Sequence, residues 1–260
     1  MTRPERHLDA SATDGPGIVV LHWSRASAGL LDELARTMAG AGVARITCVG
    51  EVADAPELAR ADGIEVRWIA LDPATSGDAL VERMIGDVRI VEAHSVIVLP
   101  HAGIDDPDSS SRLTCAAIRR ACGARVGPNV LVEIEDPEAA FEFVGLGVAT
   151  VFYSGHLRAA LLGQACVDLG VFQFVVGLLR GRHHVRSIPI PVELREASFA
   201  DAALSLELDE RGLPMTVIGI TKPAKLATAH HVLINPGPRT SLRDALGLMV
   251  LIAGDEGETP

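Results

Sequence analysis

Two stretches of this sequence carry side chains whose types and spacing could do chemistry. The first is His22-Trp23-Ser24-Arg25-Ala26-Ser27-Ala28-Gly29, which follows the apolar run Ile18-Val19-Val20-Leu21. A turn between a strand and a helix can cradle a phosphate on its backbone amides, provided glycines let the backbone come close. If the glycine fingerprint starts at residue 22, its three glycines are replaced by His22, Ser24 and Ser27. A Cβ at the first two positions crowds the approach, while Arg25 and the two hydroxyls still suit an anion. The turn therefore reads in two ways. Either His22, Trp23, Ser24, Arg25 and Ser27 bind an anionic or nucleotide ligand, or Ser24 or Ser27 simply caps a helix. Glu51 follows the second apolar run, where an acid meets a ribose hydroxyl in nucleotide folds.

The second stretch is Glu133-Ile134-Glu135. In a strand, residues i and i+2 share a face, so both carboxylates point one way and Val132 and Ile134 the other. The loop His101 to Asp108 opens on the same edge if both runs are parallel strands. Two glutamates with Asp106 or Asp108 nearby are hard oxygen ligands of the kind Ca²⁺ takes. They are equally readable as solvated carboxylates close to helix N-termini. The histidines form no ligand motif: His183-His184 and His230-His231 are adjacent pairs, and His22, His94 and His101 stand apart. GxSxG, P-loop and Cys–His signatures are missing.

These groups must be placed by regular elements, and the first half of the chain supplies them in alternation. Strands are expected at 18–21, 45–49, 64–71, 95–99, 130–135 and 149–152. Helices are expected at 27–40, 56–61, 78–85 and 109–122. Gly40 and Gly42 suit the end of the first, and Asp136-Pro137 opens a further one. The strands are continuous apolar runs, as in a parallel sheet covered on both faces. Beyond residue 185 the pattern becomes short strands (215–221, 231–235, 248–253) with one helix, 199–206, and the change of character falls at residues 180–184.

The chain of 260 residues carries a formal net charge of −11 and only 3% aromatic residues. Both argue against nucleic acid and against an anionic membrane surface. Four scattered cysteines, none in a CxxC, read as reduced thiols of a cytoplasmic protein. The N-terminal residues lack an apolar core and do not read as a signal peptide. Ala159 to Leu179 is long enough to span a membrane, but a central Asp168 costs roughly 2.5–3.5 kcal/mol there. One helix, or two broken near Gly170, fits better. Gly163, Gly170 and Gly177 recur every seven residues and would leave a bare stripe for a subunit interface.

In order and motif the chain resembles the RCK (regulator of K⁺ conductance) domain. The stretches are IVVLHWSRASAGLLDEL, SVIVLPHAGIDDPDSSSRLTCAAIRRA, VLVEIEDPEAAFEFVGLGVATVF, SGHLRAALLGQACVDLGVFQFVVGLL and HVLINPGPRTSLRDALGLMVLIAGD. Leu21-His22-Trp23-Ser24 is nearest to the L-G-W-S turn of CASTOR/POLLUX-type cation channels. His22 departs from its glycine, and the C-terminal "NP…GD" turn is altered around Arg243-Asp244.

The resemblance implies a Rossmann-like α/β lobe with helices on both faces at residues 17–153. Dimerising crossover helices follow at 154–184, then a small α+β lobe at 185–254, between tails at 1–16 and 255–260. It implies a non-enzymatic, ligand-sensing module of a K⁺ or other cation channel or transporter, forming a homodimer or a larger ring without entering the membrane itself. It assigns His22, Trp23, Ser24, Arg25, Ser27 and Glu51 to an adenine nucleotide or NAD. On the calcium-gated pattern it assigns Glu133, Glu135 and Asp106 to Ca²⁺. The rivals are an NAD-dependent oxidoreductase and a degenerate structural subunit of a hetero-oligomeric ring.

Overall fold

Alternate residues of each apolar run in the first half face opposite ways, and both faces of the central strands are covered, while Leu131 and Phe152 near the far edge stay exposed. The computed structural model describes residues 17–39, 45–56, 60–61, 64–180, 183–223 and 230–253. Six parallel strands, β1 (Ile18–Trp23), β2 (Arg45–Gly50), β4 (Ile64–Ala70), β5 (Ser95–Val98), β6 (Asn129–Ile134) and β7 (Val148–Tyr153), form one sheet with the two-residue β3 (Arg60–Ala61). The order is β3-β4-β2-β1-β5-β6-β7, with β3 antiparallel at the edge. Ile18, Val20, Ile46 and Cys48 pack with Leu31 and Ala35 of α1 (Ala28–Ala39). Val19, Leu21, Val49, Val96 and Val98 gather with Met84 of α2 (Gly77–Gly86) and Cys115 and Ile118 of α3 (Pro107–Cys122). Each fully buried aliphatic side chain contributes roughly 1.5–3 kcal/mol, so these strands lie inside for want of any polar face.

One member of this sheet breaks the rule. Thr47 is fully buried in β2, and among the described residues its hydroxyl has no hydrogen-bond partner. Thr47→Val replaces that orphan with a methyl group of nearly the same shape, and should raise unfolding free energy by roughly 1 kcal/mol. Urea melts of the two proteins measure it, and a loss of stability would show that the hydroxyl is satisfied in solution.

Local expectations are corrected in three places. The helix expected at 56–61 gives way at its end to β3, whose residues pair with Ile64 and Glu65; residues 57–59 lie outside the described set. The segment opened by Asp136 and Pro137 is a tighter 3₁₀ stretch, Pro137–Phe143, with the Asp136 carboxylate accepting the Glu138 N–H. The break expected near Gly170 is found at Asp168, between α4 (Ser154–Val167) and α5 (Leu169–Leu179), so the glycine stripe does not run along one helix. Asp168 turns to extended backbone, and its carboxylate accepts the N–H groups of Gly170 and Val171 at 2.8 and 3.1 Å. The residue that opposes membrane insertion is thus the N-cap of a helix. No described helix is long and apolar enough to cross a membrane. The end expected for α1 at Gly40 and Gly42, and both tails, lie outside the described residues.

Close packing divides the chain into two units that succeed one another in sequence at Arg158 and Ala159, within α4. In the second, β8 (His183–Ile188), β9 (Met215–Pro223), β10 (His230–Ile234) and β11 (Gly247–Ala253) form an antiparallel sheet in the order β10-β9-β11-β8. Helix α6 (Phe199–Ser205) buries Phe199 and Ala202 among Val217, Ile220, Leu248 and Val250. Its first turn is closed by a reciprocal cap between Ser198 and Asp201. The fold is an α/β Rossmann-like lobe with a small α+β lobe, as the strand patterning implies.

Cys48, Cys115 and Cys122 are buried, and Cys166, on α4, is exposed. Burial pushes the Cys48 and Cys115 thiols up to about 12.

Candidate functional site

Strand β1 lies at the centre of the large sheet, with β2 on one side and β5 on the other. The connections leaving the carboxyl ends of β1 and β5 diverge there, and a cleft opens where ligands bind in open α/β sheets. It is partly open to solvent and offers about 210 Å³. The end of β1 and the residue after it line it with His22, Trp23 and Ser24, the end of β2 and the turn after it with Gly50, Glu51 and Asp54, and the loop after β4 with Asp72, Thr75 and Ser76. From the far side come His101, Ser110, Thr114 and Arg120.

His22 has φ +57°, the left-handed region where a glycine is at ease. Its ring occupies the space that a glycine would leave open. Nδ1 lies 2.9 Å from the Leu99 carbonyl oxygen and Nε2 2.9 Å from the Thr114 hydroxyl. A carbonyl only accepts, so Nδ1 carries the proton and Nε2 accepts from Thr114. Burial first, and then the neighbouring His101, lowers the His22 pKa to about 4, against the hydrogen bond to Leu99. His22 is therefore neutral at physiological pH, with both nitrogens engaged, and is no general base. The His101 ring stacks on it with centroids 4.8 Å apart. The Nδ1 of His101 is 3.3 Å from the Ser110 hydroxyl, and its Nε2 is 3.7 Å from a Glu51 carboxylate oxygen.

Trp23 is buried, and its indole N–H donates to the Asp54 carbonyl at 3.1 Å. The Arg25 backbone N–H donates to the Asp54 carboxylate at 3.3 Å. The chain's own carboxylate thus holds the amide that a phosphate oxygen would take at such a turn. Ser24 does cap the short helix Arg25–Ser27, but through its backbone: Ser27 N–H donates to the Ser24 carbonyl, and the Ser24 side chain makes no capping bond. Arg120 pairs with Asp78 at 2.5 Å.

Gly50 is what lets β2 end against this turn. A Cβ built there would stand 2.2 Å from the Trp23 carbonyl oxygen and 3.1 Å from the Trp68 ring. The pairing of β1 with β2 slips at this point, between Leu21 and Trp23.

The carboxylates on β6 are arranged differently from the cation set. Glu133 is half-buried and Glu135 is exposed past the strand's end. Asp106 is the N-cap of α3: Ser109, through its hydroxyl and its backbone N–H, holds the carboxyl below its ordinary value. Asp108 is buried and accepts the N–H groups of Glu135 and Asp136 at 2.9 and 2.8 Å, fastening α3 to the end of β6. Among the described residues no three His, Cys, Asp or Glu side chains are grouped to hold a metal ion. The expected Ca²⁺ set of Glu133, Glu135 and Asp106 is not gathered among the described residues.

The structure brings together His22, Trp23, Ser24 and Glu51 around one cleft, while Arg25 and Ser27, in the short helix that follows, do not line it. It adds Asp54, His101, Thr114 and Arg120. Of these only His101 had a signal in the sequence, as part of the loop at the same sheet edge. The reading of His22 and His101 as isolated is corrected: adjacency of β1 and β5 stacks them.

No protein-family model matches the sequence, and no curated protein does. Among solved structures the chain is similar to the human SLO3 gating ring, with a TM-score of 0.61 and 13% identity over 91% of this chain and 44% of that one. It also aligns with the GsuK channel bound to NAD, at a TM-score of 0.41 and 19% identity, over 94% of this chain and 37% of that one. The chain spans less than half the length of either. At such identity the likeness is one of fold alone, that of the SLO3 gating ring.

Proposed function

We propose that the chain is a non-enzymatic regulatory module of a K⁺ or other cation channel or transporter, acting at the cytoplasmic face. Residues 17–153 carry the ligand cleft, residues 154–184 dimerise, and residues 185–254 form the C-terminal lobe. One observation carries this reading: α4 and α5 leave Leu157, Leu162, Val167, Leu169, Val171, Phe174 and Leu179 exposed. A monomer rarely leaves so much apolar surface in water. The gating-ring fold of the SLO3 neighbour and the Leu21-His22-Trp23-Ser24 turn, near the CASTOR/POLLUX pattern, support the regulatory side. A ligand then acts by binding one arrangement of the assembly better than another. The oxidoreductase alternative is disfavoured because the imidazole of His22 and the Asp54 carboxylate occupy the dinucleotide's turn.

Light scattering on the purified chain tests the interface. A dimer or larger ring is expected, and Val171→Glu, on an exposed position, should weaken it roughly thirtyfold while the circular dichroism spectrum stays unchanged. A chain that is monomeric at high concentration overturns the proposal. A second reading, a ligand-free structural subunit of a hetero-oligomeric ring, is favoured by the Asp54 bond to Arg25. Binding heats separate the two.

A further inference from the structure

The cleft beside β1 carries charged groups in its lining, and their sign is lopsided. Glu51, Asp54 and Asp72 line it. The cationic guanidinium of Arg120 is already paired with Asp78. His22 spends both nitrogens on Leu99 and Thr114. The one amide of the turn that faces Asp54 is bonded to it. A phosphate arriving here meets three carboxylates, finds its amide taken and finds an imidazole in the space a glycine would leave.

The cleft is partly open to solvent and offers about 210 Å³. Its other features suit a nucleoside: apolar walls from Val49, Leu71, Leu80 and Leu113, and Glu51 at the position where an acid receives sugar hydroxyls.

We infer that this cleft binds a phosphate-free, uncharged or cationic ligand of nucleoside kind, its diol on Glu51 and its ring against the apolar wall, and that Asp54 excludes phosphorylated forms. The inference rests on the proposed reading of the cleft as a ligand site and specifies that ligand's chemistry.

Titration calorimetry on the full chain, with adenosine, ADP, NAD⁺ and inorganic phosphate as probes, tests it. Adenosine is expected to bind, with ADP and NAD⁺ weaker by about tenfold or more. Glu51→Gln should weaken adenosine by about tenfold, the loss of a charge-assisted bond, and leave the melting temperature unchanged. Asp54→Asn keeps the contact's shape and removes its charge. It should narrow the gap between adenosine and ADP. ADP or NAD⁺ binding as tightly as adenosine overturns the inference, as does no heat with adenosine at millimolar concentration. Light scattering on the same sample keeps that failure distinct from failure of the regulatory reading, since the dimer does not depend on which probe binds.

Discussion

Gly50→Ala should cost this protein about 3 kcal/mol or more of stability, the range of severe overpacking. The added Cβ would lie 2.2 Å from the Trp23 carbonyl oxygen, a distance no contact tolerates. Neither side yields easily. The Gly50 carbonyl accepts the Leu71 N–H at 2.8 Å, and Gly50 itself is in register with Trp23 on β1 and Ala70 on β4. On the other side, Trp23 is buried and tied to Asp54 through its indole. Relief requires β1 and β2 to part where the turn over the cleft begins. Chemical denaturation followed by tryptophan fluorescence reads the loss through Trp23 and Trp68. A change below about 1 kcal/mol would mean that the sheet end is far more pliant than its hydrogen bonding implies.

Acid should destabilise the fold through His22. Its pKa is about 4 in the folded chain against an ordinary 6.5. The unfolded chain therefore binds the proton first, and stability falls with decreasing pH from about 6.5 and levels off below about 4. The total is on the order of 3 kcal/mol, from 1.36 kcal/mol for each unit of pKa difference. Two neighbours bear on the ring: His101, which stacks on it and opposes its charge, and the Leu99 carbonyl, which favours charge but is outweighed by burial. His22→Asn suits the left-handed backbone and does not titrate. Its stability should be nearly flat over that window once the carboxylate contribution common to both proteins is subtracted. Urea midpoints taken from pH 4 to pH 7 for both proteins give the comparison; equal slopes would remove His22 as the source.

Much of this architecture is legible along the chain because burial on both faces of a parallel sheet leaves no choice of residue: Val19 to Leu21 and Val96 to Val98 are apolar at every position. Where one or two contacts decide the structure, the sequence is silent. Arg60 and Ala61 become a strand only because Glu65 and Ile64 lie beside them. The seven-residue glycine period suggests one helix, but a single carboxylate, Asp168, outweighs periodicity by capping a new one. The site shows the same division. His22, Trp23 and Ser24 are visible as the exit from an apolar run, although the strand itself extends to Trp23, two residues beyond the expected end at Leu21. Asp54 and Thr114 are 31 and 92 residues away from their partners Trp23 and His22, and no local pattern announces them. Asp106 and Asp108 carry ligand chemistry on paper, but the backbone amides of Ser109, Glu135 and Asp136 use it first.

The distribution of thiols gives the molecule a built-in reporter. Cys48 and Cys115 are sealed in the interior, Cys122 keeps 8% exposure, and Cys166 is open to solvent, so a maleimide or haloacetamide dye attaches first at Cys166 without any engineered handle. That residue sits on the first of the two helices assigned to self-association. A fluorophore placed there would register the approach of a second copy by proximity quenching.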